Sequence, residues 1–116
     1  MSNNNKMDII IADGATKICE KAFVNCDWLT SIVIPNSVKS IGDRAFAWCS
    51  SLTSVTIGNG VTSIGDWAFA YCSRLDVYYG DTLERWKVIY KDINWAYAVP
   101  SSCKVYCTDG VLDINR

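Results

Sequence analysis

Six cysteines, twelve carboxylates and no histidine set the chemistry open to this 116-residue chain. Without histidine there is no Ser–His or Cys–His pair, no imidazole base and no imidazole metal ligand. A serine nucleophile would need a lysine beside it instead. The cysteines are ordered: Cys26, Cys49 and Cys72 recur every 23 residues, and Asp43 and Asp66 share that spacing. One thiol per 23-residue unit does not build a tetrahedral metal site. If the units stack, adjacent thiols have Cα atoms about 5 Å apart, but parallel Cα–Cβ bonds hold the Cβ atoms too far apart for a disulfide. The three therefore read as buried thiols acting as small hydrophobes. Cys103 and Cys107 are too far apart along a strand to bridge directly and lack two further metal ligands. The pairing of Cys19, Cys103 and Cys107 stays open. Asp43 and Asp66 read as helix caps in preference to a catalytic dyad. No glycine-rich phosphate loop has the required spacing. No catalytic residue, cofactor or metal site is expected.

The same 23-residue period governs the whole first two thirds of the chain. It carries Ile18, Ile41 and Ile64; Ala22, Ala45 and Ala68; Phe23, Phe46 and Phe69; and Leu29, Leu52 and Leu75. WLTSIVIPNSVKSIGDRAFAWCS and SLTSVTIGNGVTSIGDWAFAYCS match almost letter for letter. A degenerate earlier unit holds Ile9 and Ile11 at strand positions, with Cys19 where later units have glycine. After Leu75 the period fails: Lys87, Lys91 and Asp92 are charged where apolar residues are due. Within a unit, Leu52, Val55 and Ile57 alternate as the inward face of a strand. Gly58-Asn59-Gly60 is turn chemistry, Val61 and Ile64 mark a second extended piece, and Asp66 caps one helical turn over Trp67–Cys72. Such a unit cannot bury its own apolar face, so units must stack. The expected fold is an α/β, right-handed leucine-rich repeat solenoid of short parallel strands and one-turn helices. The expected organisation is a disordered leader at 1–7 and a single domain at 8–116. That domain has repeats at about 8–28, 29–51 and 52–74 and a C-terminal cap at 75–116.

IPNSVKSIGDRAFAWCSSLTSVTI and IGNGVTSIGDWAFAYCSRL resemble the BspA-type leucine-rich repeat, whose hallmark is IGxxAFxxC followed by leucine and a short Ile/Val strand. YYGDTLERWKVI, NWAYA and VYCTDG resemble the closing segment that follows such repeats in gut-bacterial proteins. The resemblance implies a bacterial or protozoan protein, often secreted or surface-exposed, that binds other proteins or host surfaces. It implies no enzyme activity and no catalytic residues.

The ends and the surface carry the remaining expectations. Asp81-Thr82-Leu83-Glu84 has capping-box spacing and should open a helix over 82–91, with Leu83, Trp86, Ile89 and Tyr90 on one side. Lys104–Cys107 and Val111–Ile114 flank Asp109-Gly110, a hairpin signal, and Trp95, Tyr97 and Val99 should pack over the last repeat. The N-terminus has no such cover. Ile9, Ile10 and Ile11 form a nearly bare edge, a candidate site for homodimer formation. Trp67 shares its column with Lys21 and Arg44, so that column should face solvent. Trp48 and Tyr71 share another, with Asn25 as their polar counterpart. Trp48, Trp67, Tyr71 and Arg44 are candidate contact residues; the competing role is sealing the seams between coils. The outward strand positions are read as Ser31, Val33, Ser54, Thr56, Val77 and Tyr79, a small neutral face suited to a flat protein contact.

Eleven Lys and Arg against twelve Asp and Glu give a formal charge of −1, with no footprint for nucleic acid. No run approaches the ~20 apolar residues of a membrane span, and the polar start lacks the apolar core of a signal peptide. A cytoplasmic location, or a piece of a longer protein, is the expectation. The function expected is a non-enzymatic protein-binding module. The alternatives are an assembly module stacking through its N-terminal edge and an intracellular effector that blocks a partner enzyme.

Overall fold

The computed structural model describes residues 6–114. Each of four coils contributes one strand to each of two sheets. The first sheet contains β1 (Met7–Ile10), β3 (Leu29–Ile34), β5 (Ser54–Ile57), β7 (Asp76–Tyr79), β9 (Lys104–Cys107) and β10 (Gly110–Asp113), neighbours in that order. The second contains β2 (Lys17–Ile18), β4 (Ser40–Ile41), β6 (Ser63–Ile64) and β8 (Tyr90–Lys91). Every pairing is parallel except β9 with β10. The result is a β-solenoid of about four turns. Its core is a set of columns in which Leu29, Leu52 and Leu75, then Ile41 and Ile64, are fully removed from solvent.

The third face corrects the one-turn helices. The stretches after Gly42 and Gly65 are chains of tight turns. Ala45 N–H donates to the Gly42 carbonyl, Ala47 to Arg44 and Cys49 to Phe46, each a three-residue step. The intervening residues are left-handed: Arg44 (φ 56°), Trp48 (61°), Trp67 (60°) and Tyr71 (62°). The N–H groups of every second residue leave the coil, so that Arg44, Phe46 and Trp48 donate to the carbonyls of Asp66, Ala68 and Ala70 in the next coil at 2.7–2.9 Å. The reason is one of width. An α-helix with side chains is about 10 Å across, whereas stacked strands repeat every ~4.8 Å. Flattened turns keep all three faces on the strand pitch. The Phe23, Phe46 and Phe69 rings accordingly stack with centroids 5.3 and 5.0 Å apart. Asp43 is correspondingly not a helix cap. Its Oδ1 accepts the Asp66 N–H of the next coil at 2.8 Å.

Gly42 and Gly65 are required by this close stacking. A Cβ on Gly42 would stand 2.6 Å from the Glu20 nitrogen, and one on Gly65 would stand 2.6 Å from the Asp43 nitrogen. Cys19 occupies the same column in the first coil. Its side chain is exposed, with no described coil on that side to obstruct it.

Beyond Leu75 the coils continue with altered lengths. Val55 pairs with Val77, one residue short of the 23-residue offset that links Ser31 to Ser54. Ser63 pairs with Tyr90, four residues beyond it. The added length carries α1 (Leu83–Val88), which stops short of the expected Lys91. Thr82, not Asp81, is its N-cap: the Thr82 side chain accepts the Arg85 N–H, while Asp81 Oδ1 accepts the Thr82 N–H. Lys91 takes the strand position held by Ile64 in the coil before. Its charge is accommodated because Nζ donates to the Trp86 and Ile89 carbonyls and lies over the Trp86 ring. Residues 75–107, expected as a cap, thus supply β7, β8 and β9 to the two sheets. At the other end, residues 1–5 of the expected leader lie outside the described residues. Met7 opens β1, donating its N–H to the Trp28 carbonyl, and Lys6 Nζ donates to the Ser51 hydroxyl.

Phe46 is the middle ring of the stacked column and is fully buried. Phe46→Ala is expected to lower stability by about 3–5 kcal/mol, measured by denaturant unfolding. A loss below ~1 kcal/mol would mean that the ring does not fill a closed core.

Candidate functional site

The left-handed positions that flatten the third face also set its outer surface. A side chain on such a residue projects away from the coil, and the repeat brings successive ones into register. One column runs Asn25, Trp48, Tyr71, Ala98, and another runs Lys21, Arg44, Trp67. Trp48 and Tyr71 stack at 5.2 Å with rings 10° from parallel. Trp67 stacks on Tyr97 at 5.3 Å and 5°. The two stacks meet at steep angles, Trp48 against Trp67 at 56° and Tyr71 against Tyr97 at 72°. Arg44 completes the patch with its guanidinium carbon 5.5 Å from the Trp67 ring centre.

Trp48, Tyr71 and Tyr97 remain 39, 38 and 46 % exposed. Trp67, expected to be exposed, is half-buried, because its neighbours enclose it on several sides. The patch therefore unites Trp48, Trp67, Tyr71 and Arg44 and adds Tyr97. Tyr97 was legible only as a residue packing over the last repeat, because the four-residue insertion hides its alignment with Ala70.

The outer face of the first sheet is a separate surface. Ser31, Ser54 and Thr56 are half-buried there and Val33 is exposed. Val77 and Tyr79 do not belong to it. The one-residue shortening before β7 turns both into the core, since a slip of one residue exchanges the faces of a strand. Asp76 and Tyr78 take the outward positions, and Tyr78 stacks on Tyr106 at 5.0 Å. Toward the N-terminal edge, Asp8 accepts the Thr30 and Ser31 hydroxyls at 2.8 and 2.7 Å. Those bonds, that from Ser31 first, hold its carboxyl below the usual range. Ile9 and Ile11 pack partly against the core, whereas Ile10, in register with Val33, is 78 % exposed on the outer face of the sheet.

A family model of the BspA-type leucine-rich repeat region, six copies, matches residues 2–86. The chain belongs to the BspA-type leucine-rich repeat family. No curated protein and no solved structure matches it significantly. This BspA-type chain has the repeat region of a family that is generally non-enzymatic. Among its described residues, no three carboxylate or thiol side chains gather as a metal site, and no helix is long and apolar enough to cross a membrane.

The repeated thiols of the BspA-type coil have a structural task. Cys49 Sγ donates to the Phe23 carbonyl and Cys72 Sγ to the Phe46 carbonyl, each at 3.1 Å. All six cysteines are free. Burial pushes the Cys49 thiol up to about 12 and the Cys72 thiol higher still, while Cys26, nearer the open end, is raised by burial with Asp27 adding to it. Alkylation of the native protein is expected to label exposed Cys19 first, and Cys49 and Cys72 only on unfolding, as peptide mass mapping would record. A raised folded-state pKa also makes stability fall once the unfolded thiols begin to ionise. Each of Cys49 and Cys72 is therefore expected to remove on the order of 1 kcal/mol per pH unit above pH ~9. A shallower fall between pH 9 and 11 in the Cys49→Ala/Cys72→Ala double variant than in the parent checks the assignment, the residual slope coming from Cys26, Cys103 and Cys107, which burial also raises.

Proposed function

We propose that the chain is a non-enzymatic protein-binding module, with its contact surface centred on Trp48, Trp67, Tyr71 and Tyr97 beside Arg44. The observation that carries this reading is where the aromatic rings stand. A non-glycine residue in the left-handed region costs roughly 1–2 kcal/mol, and asparagine tolerates the conformation best. The first coil uses Asn25 at this position, yet the next two use Trp48 and Tyr71 and leave both partly in water. Stacked aromatic pairs return only about 0.5–1.5 kcal/mol beyond the area they bury. Trp, Tyr and Arg are also the side chains that dominate binding energy at protein interfaces. In this reading α1 and the β9–β10 hairpin close the C-terminal end of the first sheet, as the edge of an open solenoid requires.

A second reading, self-association through β1, is favoured by the exposure of Ile10 on an edge strand with free backbone groups.

Trp48→Asn is expected to leave stability within ~1 kcal/mol of the parent, because relief of the left-handed cost offsets the lost stack. Crosslinking capture from cell extract, quantified by mass spectrometry, is expected to recover a partner that Trp48→Asn/Tyr71→Asn loses and Val33→Ser retains. Equal recovery by all three proteins would remove the patch from the function, and a collapse in stability would assign it to sealing the coils. For the second reading, sedimentation equilibrium from micromolar to millimolar protein is expected to reveal a dimer that Ile10→Pro weakens by deleting a β1 donor. A strict monomer over that range would eliminate it.

A further inference from the structure

At the C-terminal end the faces of the solenoid stop at different heights. The first sheet runs on through β9 and β10, whereas the second ends at β8 and the third face ends with residues 94–98. At ~4.8 Å per strand this leaves a step about two strands deep. Beside it lies an open groove of about 620 Å³, walled by Ile93, Asn94, Ala96 and Ala98 among others.

The floor of the groove is the last rung of the third-face ladder. In the third coil, Trp67, Phe69 and Tyr71 donate their N–H groups to the carbonyls of Asn94, Trp95 and Tyr97. The turn bonds of the fourth coil repeat those of the third at an offset of 27: Trp95 to Asp92 follows Ala68 to Gly65, and Tyr97 to Asn94 follows Ala70 to Trp67. The carbonyls of Trp95 and Tyr97 point back to the third coil, so the N–H groups of the same peptide units, on Ala96 and Ala98, point outward; the Asn94 rung departs from the ladder, since its own carbonyl and not that of Ile93 accepts the Trp67 N–H. Among the described residues the Ala96 and Ala98 N–H groups meet no acceptor. Ala96 stands where Phe69 stood and Ala98 where Tyr71 stood, so the side chains that would shield this backbone are reduced to methyl groups. Ile93, at 93 % exposure, adds an apolar wall.

We infer that this groove binds a segment of another protein that takes up the tight-turn conformation of residues 66–71. That segment sets alternate carbonyls on the N–H groups of Ala96 and Ala98, as Ala68 and Ala70 set theirs on Phe46 and Trp48, and its apolar side chains over Ala96 and Ile93. An extended strand presents N–H and C=O groups together on each edge, whereas a chain of such turns presents its carbonyls alone. The edge carries donors alone, since its carbonyls are already taken by the third coil. The same edge of a second copy therefore cannot pair with it. The first coil of a second copy does offer free carbonyls, on Glu20, Ala22 and Val24. Docking that coil here would drive its β1 into the space that β9 fills. A single segment fits the step and a whole solenoid does not.

The probe is a synthetic peptide of residues 64–75, with Cys72→Ser to prevent oxidation, since that segment plays the accepting part inside the solenoid. Amide hydrogen exchange of the intact protein is followed by NMR as peptide is added. The expected result is saturable binding, with exchange at Ala96 and Ala98 slowed at least tenfold and no effect of a scrambled peptide. Ala96→Pro, which deletes one donor, is expected to weaken the peptide at least tenfold; if that variant does not fold, the exchange map decides alone. Absence of protection, or protection at β1 or β10 instead, would overturn the inference. So would protection of the two amides that rises with protein concentration before any peptide is present, which would name a second copy as the occupant.

Discussion

The strand-to-strand distance is the constraint from which the rest of the molecule follows. Two sheets fix the rise of each coil near 5 Å, and every other part of the coil must climb at the same rate. A helix is too wide to do so, which is why the Gly-Asp-x-Ala-Phe-Ala-x-Cys stretch sets left-handed residues at its two x positions. The same rise sets the phenylalanines into face-to-face stacks, removes the side chain at Gly42 and Gly65, and brings the Cys49 and Cys72 thiols onto the carbonyl of the phenylalanine one coil back. Close packing, backbone pairing and thiol burial are consequences of one spacing.

The left-handed residues link fold to surface. They are needed to flatten the turn, and they point side chains outward at fixed intervals. A repeat that needed only structure could fill those positions with asparagine or glycine at less conformational cost. This chain fills successive positions with tryptophan and tyrosine, and two perpendicular stacks result. The scaffold thus supplies a regular grid, and the identity of the residues on that grid is free to serve recognition.

The repeat, its inward Leu, Val and Ile columns and the family were legible in the sequence, because identical letters at one spacing must fall on identical places in a stack. What escaped the reading were departures from that spacing. A single missing residue before β7 exchanged Tyr78 for Tyr79 on the outer face, and no local signal at Tyr79 marks the slip. Four added residues around α1 concealed the fourth coil, since Lys91 is charged where isoleucine was due. Only its bonds to the Trp86 and Ile89 carbonyls, which join residues after the chain has folded, explain how it fits. The helical turns were misjudged for a different reason. Asp66 followed by Ala, Phe and Ala has good helical character within one coil, and the pitch that forbids a helix is a property of two.

The third-face ladder has a polarity that ordinary sheets lack. In β-strands successive peptide groups point to opposite sides, so their dipoles largely cancel. Here Arg44, Phe46 and Trp48 all donate toward the C-terminal end, and the carbonyls preceding them, of Asp43, Ala45 and Ala47, all accept from the N-terminal side. Each such peptide unit carries a dipole of about 3.5 D. Aligned rung upon rung, they give this wall a lengthwise field whose positive pole lies at Ala96 and Ala98 and whose negative pole lies at the carbonyls of Glu20, Ala22 and Val24. That orientation runs from negative at the chain's start to positive near its end, the reverse of an α-helix. The backbone by itself thereby draws electron-rich groups to one end of the solenoid and cations to the other.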